Sequence, residues 1–343
     1  MSRLPRRRAA PRPAAHLTSR PASAIALPQL VIPDRPLVSV VVPTRARPAS
    51  VVAAAGAVFA QSERSLELIV VLDGPDPASR MALSGLRDER LRLLELPKSR
   101  GAAAARNAGI AAARAPWLAL LDDDDLWAPQ KLERQLACDP TADEIVACRL
   151  LYRSASETFV APRRLPEPGE PLSEYLFCRQ GWFKYEGVLQ SSMLLAATSL
   201  WRRIPFREEL RRHQEVDWAL RAVAEAGARV RWVDEVLGTW DVAAAGPRVS
   251  ASSDWRYSFD WIRDARSRVT RRAYAAFVLT RVASRAAEGR EWNAFPSLLR
   301  EAFRAGGVRP KELLLFFGLW FLPHGLRRGL RQRRTDRESR AAD

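Results

Sequence analysis

The first half of the chain alternates short apolar runs with longer segments whose apolar residues recur at helical spacing. The apolar runs are rich in β-branched residues, as is typical of strands buried on both faces of a parallel sheet. Four such strands are predicted, at Leu37–Val42, Leu66–Leu72, Leu91–Leu96 and Trp117–Leu121. The segments between and after them predict helices at Pro48–Gln61, Ala78–Arg87, Gly101–Arg114 and Pro129–Ala137. This alternation predicts a mainly parallel sheet flanked by helices.

The pattern weakens beyond Ala137 but still predicts regular elements. Strands are predicted at Glu144–Tyr152, Ser191–Ala196 and Arg229–Val233, and a helix at Gln214–Ala226 that ends at Gly227. From Trp255 onward the residues favour helices separated by glycine and proline. The predicted fold class is therefore α/β, a Rossmann-like mixed sheet with a C-terminal helical extension.

Polar clusters follow three of the four predicted strands directly. Pro43, Thr44 and Arg45 follow the first strand, Asp73 follows the second, and four consecutive aspartates, Asp122–Asp125, follow the fourth. Ligands of open α/β sheets bind at the carboxyl ends of the strands. We therefore expect a binding site at this edge of the sheet.

The four aspartates indicate a cation. Two like charges 4 Å apart repel by about 1 kcal/mol even in water, so a fold does not ordinarily keep four of them at the mouth of a buried strand. A hard divalent ion such as Mg²⁺ or Mn²⁺ takes oxygen ligands and bridges to phosphate oxygens. The alternative is a solvated acidic turn that caps the helix beginning near Pro129.

Four segments in order resemble glycosyltransferase family 2, whose members have the GT-A fold. They are Ser39–Arg45 (SVVVPTR), Leu68–Gly74 (LIVVLDG), Gly101–Gly109 (GAAAARNAG) and Leu120–Pro129 (LLDDDDLWAP). The resemblance spans roughly residues 36–136. It implies a transferase that moves a sugar from a nucleotide-diphosphate sugar, with inversion at the anomeric carbon.

The resemblance also implies roles for individual residues. Pro43, Thr44 and Arg45 would line the nucleotide pocket, and Asp73 would accept a hydrogen bond from the base. Arg106 and Asn107 would lie near the diphosphate and the sugar. Taken without the resemblance, Asp73 is a turn residue before Gly74, Arg106 is a helix-surface residue and Asn107 is a cap.

The aspartate run overlaps the family's Asp-x-Asp motif in a register that stays open by one residue. We take Asp124 as the main ligand of Mn²⁺ or Mg²⁺. Asp122 or Asp123 would then contact the ribose, with Asp122 also a candidate metal ligand. The donor is a UDP-, dTDP- or GDP-sugar, and the sequence does not choose among these.

An inverting transfer needs a base that takes the proton of the acceptor hydroxyl. The segment His213–Arg221 (HQEVDWALR) resembles the family's base-bearing motif and places Glu215 at the base position, with Asp217 as the second candidate. The alternative is the start of an amphipathic helix, where both carboxylates favour the positive end of the helix dipole. Gln190–Met193 is a candidate lining of the acceptor groove.

The charge distribution bears on partners and location. The chain has 55 basic and 39 acidic residues, a net charge of +16, concentrated at both ends. An apolar run at Leu313–Leu322, followed by an arginine cluster, predicts peripheral membrane contact through residues 311–334 at an anionic cytoplasmic surface. The alternative is a helix packed on the catalytic domain. The three cysteines form no paired motif, which favours a reducing compartment.

Three functions compete at this stage. The leading one is a metal-dependent glycosyltransferase with a glycan or lipid-linked acceptor, and the second is a non-catalytic module that only binds nucleotide-sugars. A nucleic-acid-binding protein is suggested by the charge alone, and the aspartate cluster at the ligand edge argues against it. The predicted organisation is a basic leader at 1–35, a catalytic domain at 36–245 divided near 137/138 into donor and acceptor halves, and a helical extension at 246–343.

Overall fold

A computed structural model describes residues 35–181, 185–242 and 254–322 of the chain. These residues all belong to one compact unit. Nearly all of the predicted leader and the arginine-rich segment after residue 322 lie outside the described residues. The predicted division into domains stays a prediction.

The first half of the sheet is parallel, as its apolar runs predict. Its strands are β1 (Val38–Thr44), β2 (Leu66–Leu72), β3 (Leu91–Glu95) and β4 (Trp117–Leu120). All pairings among these four strands are parallel, in the order β3-β2-β1-β4. Every residue of β1 and β2 is buried, because helices cover both faces.

The helices of this half begin where their first residues favour it. Helix α1 (Pro48–Phe59) starts with proline at its first position, and Asp76 caps helix α2 (Pro77–Ser84) by accepting from the Ser79 amide at 3.1 Å. Helix α3 (Ala102–Ala112) lies on β1 and β2, and helix α4 (Lys131–Leu136) follows the aspartate cluster. Helix α3 lies so close to β1 that any side chain at position 109, which is glycine, would overlap Val41.

The other half of the sheet contains both antiparallel and parallel pairings. They are β5 (Asp125–Trp127), β6 (Glu144–Arg153), β7 (Thr158–Ala161), β8 (Leu195–Ala197) and β9 (Arg229–Asp241). The order β3-β2-β1-β4-β8-β6-β9-β5 puts the short β8 between the two halves, antiparallel to both β4 and β6. The helices of this half are α5 (Leu172–Phe177), α6 (Thr198–Arg203) and α7 (Gln214–Ala226).

The C-terminal residues are helical, as predicted. Helix α8 (Trp255–Asp264) is followed by α9 (Arg271–Phe277), a π-helical stretch at Val278–Val282, α10 (Ala283–Glu288), α11 (Ala294–Ala305) and α12 (Pro310–Phe321). Over the described ranges, none of the helices has the length and apolar character that crossing a bilayer requires.

The α/β prediction is confirmed, and the departures are local. The predicted strand at Ser191–Ala196 is a turn of 3₁₀ helix at Ser191–Met193 followed by β8. Strands β5 and β7, of three and four residues, were not predicted, because so short a run carries no period. Strand β9 runs eight residues beyond its predicted end at Val233, since it pairs with both β6 and β5.

We expect Gly109→Ala to destabilise the protein by about 1–3 kcal/mol, because the added methyl group would overlap Val41 and lie 3.2 Å from Val71 Cγ2 in a fully packed core. Urea denaturation measures the change. The control is Gly56→Ala in the exposed face of α1, where a Cβ meets nothing within 4 Å. That change should stabilise by about 0.5–1 kcal/mol through helix propensity. Equal effects of the two substitutions would contradict the close packing of α3 on β1.

Candidate active site

The aspartate cluster lies at the carboxyl end of β4, where the strand turns into β5. Asp122 forms a short ion pair with Arg106 of α3, whose Nη2 lies 2.6 Å from Asp122 Oδ1. Arg106 is only 5% exposed, so its guanidinium is a buried positive charge beneath the cluster. The other arm of this guanidinium donates to Gln214 Oε1 at 2.6 Å.

A second cation lies on the other side of the cluster. Arg47 is the last residue before α1, and its Nη1 lies 2.9 Å from Asp123 Oδ1 and 3.2 Å from Asp124 Oδ2. Thr44 Oγ1 donates to the remaining oxygen of Asp123 at 2.6 Å. Nothing in the sequence indicated this role for Arg47, although it lies only two residues after the segment assigned to the nucleotide pocket.

The turn Gln190–Met193 donates hydrogen bonds to the aspartate cluster. Ser191 Oγ donates to Asp122 Oδ2 at 2.7 Å, while Gln190 Nε2 and Ser192 Oγ donate to Asp125 Oδ2 at 2.6 and 2.7 Å. Asp125 Oδ1 is buried without a hydrogen-bond partner among the described residues. Burial raises the pKa of Asp125 well above its usual range, and the negative charge of Asp122 adds to this. This turn therefore contacts the carboxylates, rather than only the acceptor side where we expected it.

Asp73 occupies the neighbouring strand end. Its carboxylate accepts from the Ser99 hydroxyl at 2.7 Å and from the backbone amides of Arg100 and Gly101 at 2.7 and 3.0 Å, at the start of α3. Arg45 Nη1 donates to the same Ser99 hydroxyl at 2.6 Å. The structure thus links Asp73 and Arg45 through Ser99, and their roles toward a nucleotide stay predictions.

Two other predicted donor residues have structural partners. Pro43 is buried within β1, in register with Val71 of β2. The Asn107 side-chain amide donates to the Phe206 carbonyl at 2.8 Å and accepts from the Phe206 amide at 2.9 Å, which fixes the loop that leads to α7. The predicted position of Asn107 near the sugar stays a prediction.

Glu215 is the candidate base that faces the cluster. It lies in the first turn of α7, with Oε1 3.5 Å from Ser191 Oγ and 3.9 Å from Arg106 Nη2. Its side chain is 24% exposed, and partial removal from water raises the pKa of its carboxyl. The positive charge of Arg106 opposes this rise, and the negative charge of Asp122 adds to it. A raised pKa makes an ionised carboxylate a stronger base.

Asp217 is held in a different environment. It is 2% exposed, pairs with Arg221 Nε at 2.8 Å and accepts from the indole nitrogen of Trp261 at 3.1 Å. Arg207 Nη1 lies a further 3.7 Å away. These contacts make Asp217 a structural link between α7 and the C-terminal helix α8.

The residue before α7 explains how Glu215 is presented. His213 adopts a left-handed backbone conformation with φ of 65°, which is uncommon for a side chain of its size. Its ring is stacked 4.4 Å from that of Trp261 and bonds the Ser258 hydroxyl at 3.0 Å. Burial lowers the pKa of His213 to about 3, so the ring is neutral. These contacts tie His213 to α8.

The carboxylates provide oxygen ligands of the kind that Mg²⁺ and Mn²⁺ prefer. Within the described ranges, no three histidine, cysteine or carboxylate side chains converge on a single ready-made metal position. Asp123 and Asp124 both pair with Arg47, so the fold already places one positive charge between these two carboxylates. The donor set fits a divalent ion held by few protein ligands.

Comparison with known proteins identifies this architecture. The mixed sheet with its flanking helices has the GT-A fold of glycosyltransferases. Against the crystal structure of S. aureus TarS 1–349 in complex with UDP-GlcNAc, the TM-score is 0.50, at 16% identity over 82% of this chain and 79% of that one. A likeness at this identity shows the fold alone.

The family follows from the sequence. Residues 39–198 match the model described as glycosyl transferase family 2, so this segment is a family 2 glycosyltransferase domain. The succinoglycan biosynthesis protein ExoO of Rhizobium meliloti is 39% identical over 87 residues, which are 25% of either chain. The UDP-Glc:alpha-D-GlcNAc-diphosphoundecaprenol beta-1,3-glucosyltransferase WfgD of Escherichia coli is 33% identical over 104 residues, 30% of this chain and 41% of that protein. The chain thus spans less than half the length of either relative.

We expect Asp217→Asn to destabilise the protein by roughly 3 kcal/mol, because it leaves the buried Arg221 without its charge partner. Glu215→Gln should cost less than about 1 kcal/mol, since Arg106 keeps its closer partner Asp122. Thermal or urea unfolding of the two variants measures both changes. If Glu215→Gln were the more destabilising of the two, the structural role of Asp217 would be wrong.

Proposed function

We propose that this protein transfers a sugar from a nucleotide-diphosphate sugar to a glycan or lipid-linked acceptor, with inversion at the anomeric carbon. One observation above all supports this. Arg106 of α3 lies within 4 Å of both Asp122, after β4, and Glu215, in α7, at the edge of the sheet where α/β proteins bind ligands. A module that only binds a nucleotide-sugar has no need of a carboxylate with a raised pKa at that position.

In the proposed reaction, Glu215 accepts the proton of the acceptor hydroxyl as its oxygen attacks the anomeric carbon. The bond between that carbon and the diphosphate oxygen breaks, and its electron pair leaves with the diphosphate. Arg106 lies beside the base and, as a buried cation, stabilises negative charge that develops nearby. Asp73, Thr44 and Arg45 form the side of the site that we assign to the nucleotide.

A divalent ion completes the donor site in this proposal, with Asp124 as its main protein ligand and Asp122 the second candidate. Mg²⁺ and Mn²⁺ sites of this kind use one or two carboxylates, the rest of the shell coming from phosphate oxygens and water. That is consistent with the few protein ligands that the cluster offers. When bound, such an ion stabilises the departing diphosphate as a Lewis acid.

The acceptor is proposed from the relatives. The names of both relatives place them in the synthesis of glycans, and WfgD is named for an acceptor linked to diphosphoundecaprenol. We infer a polysaccharide of the cell envelope, assembled at the inner face of the cell membrane, as the setting for this chain. The UDP in WfgD's name makes UDP-sugars the first donors to test, with dTDP- and GDP-sugars next.

Glu215→Gln should lower kcat by about 10²–10⁴-fold and leave donor affinity unchanged, because the amide cannot take the acceptor proton. Release of nucleoside diphosphate measures kcat, and calorimetry measures donor binding in the presence of Mn²⁺. The control is Glu225→Gln, an exposed carboxylate farther along α7, which should keep full activity. Donor binding without turnover in the unmodified protein, with every acceptor tested, would favour the binding module.

The pH dependence provides a separate test. The base must be ionised, and the pKa of Glu215 is raised. The rate should therefore fall as pH decreases through a value above about 4.3, the ordinary glutamate pKa, and this acid limb should vanish in Glu215→Gln. An unchanged acid limb in the residual activity of that variant would assign the ionisation to another group.

Arg47→Gln should raise the affinity for Mn²⁺ in the absence of donor by about threefold to tenfold. The guanidinium competes for Asp123 and Asp124, and each partly exposed ion pair contributes up to about 1 kcal/mol. Electron paramagnetic resonance of free Mn²⁺ measures this without any turnover. Arg45→Gln is the control, because Arg45 bonds Ser99 instead. Weaker Mn²⁺ binding in Arg47→Gln would contradict the competition.

A further inference from the structure

Helix α12 has apolar side chains on two faces. The inner face carries Phe316 and Trp320, both buried, whose rings lie 4.9 and 5.5 Å from that of Phe295 in α11. The outer face carries Leu314, Phe317 and Phe321, which are 63%, 42% and 61% exposed. Helices on a protein surface ordinarily present polar side chains outward. The outer face of α12 does the opposite.

The outer face belongs to a larger exposed surface. Phe321 lies 6.2 Å from Phe317 and 5.9 Å from Trp292 between ring centroids, and Trp292 is 52% exposed. Leu322, at the end of the helix, is 44% exposed. We call these residues the outer patch: Trp292, Leu314, Phe317, Phe321 and Leu322. Continuous apolar patches with aromatic residues mark interaction surfaces, whereas scattered apolar residues do not.

Basic residues flank the outer patch along the chain. Arg309 is exposed at the residue before α12, and the twelve residues after Leu322, 323–334, contain five arginines and no carboxylate. Within α12 itself, the carboxylate of Glu312 lies on the buried side. The helix thus combines an exposed apolar face with an excess of positive charge at both of its ends.

We propose that the outer patch docks on an anionic membrane surface, with α12 lying along the plane of the lipid headgroups. Tryptophan and phenylalanine rings insert at the boundary of headgroups and acyl chains, while arginines pair with lipid phosphates. The inner face stays packed on α11, so the helix rests on the membrane and does not enter it. A second copy of the chain is the less suitable occupant, because it carries the same excess of positive charge and offers none of the negative charge that an anionic lipid surface supplies.

The membrane proposal does not depend on catalysis, and its test does not use turnover. The full chain is floated with vesicles of phosphatidylcholine, with and without phosphatidylglycerol. We expect binding only to the vesicles with phosphatidylglycerol, weakening as salt rises. The triple substitution Leu314→Gln, Phe317→Gln and Phe321→Gln should reduce the partition coefficient at least about tenfold, because three large apolar side chains no longer leave water.

Two controls separate the patch from other causes. Phe303→Gln removes an aromatic side chain of α11 that is 57% exposed and outside the outer patch, and it should bind vesicles like the unmodified chain. Asp124→Ala should also bind normally, so that a failure of the donor site is not mistaken for a failure of docking. Replacing the five arginines of 323–334 with glutamine should weaken binding, because it removes positive charge that attracts anionic lipid.

Three results would overturn the proposal. The first is failure of the folded, unmodified chain to bind vesicles with phosphatidylglycerol. The second is unchanged binding by the triple variant. The third is concentration-dependent self-association in sedimentation that the triple substitution abolishes while vesicle binding remains, which would assign the patch to a second copy of the chain. Circular dichroism confirms that each variant is folded.

Discussion

The central constraint on this structure is the mutual repulsion of four consecutive aspartates at the end of β4. Asp122 pairs with the buried Arg106, Asp123 and Asp124 share Arg47, and Asp125 accepts hydrogen bonds from Gln190 and Ser192. These partners come from the residue before α1, from α3 and from the turn before β8. The cluster therefore links the elements that surround the candidate donor site.

The base depends on the C-terminal helices. Glu215 begins α7, and the start of α7 is fixed by His213, whose ring stacks on Trp261 of α8. Asp217, two residues after Glu215, bonds the same Trp261. The helical extension thus sets the position of the candidate base relative to the aspartates. The two carboxylates, both candidate bases from spacing alone, thus have different surroundings: Glu215 faces the aspartate cluster and Asp217 bonds α8.

The sequence predicted what depends on local pattern. The strands of the parallel half are apolar runs that nearly match their observed bounds, and the polar residues after them meet at one edge because parallel strands end there. Partners distant in sequence could not be predicted. Nothing in the residues around Arg47 says that its guanidinium lies across two aspartates 76 and 77 residues away. The serines at 191 and 192 likewise gave no signal that they bond the cluster.

The apolar run at Leu313–Leu322 is a second feature whose structure the sequence left open. It is a continuous apolar stretch in the sequence. Such a stretch suits a helix packed on the protein as well as a helix at a membrane interface, and the sequence predicted one or the other. The structure shows a helix that packs on its own protein through one face and leaves apolar side chains exposed on another. Phe316 and Trp320 are four residues apart and face inward, while Leu314, Phe317 and Phe321 follow the other face at spacings of three and four. A helix that must pack on its own protein and also contact lipid needs apolar residues on both faces, and a continuous apolar run is how a sequence encodes that requirement.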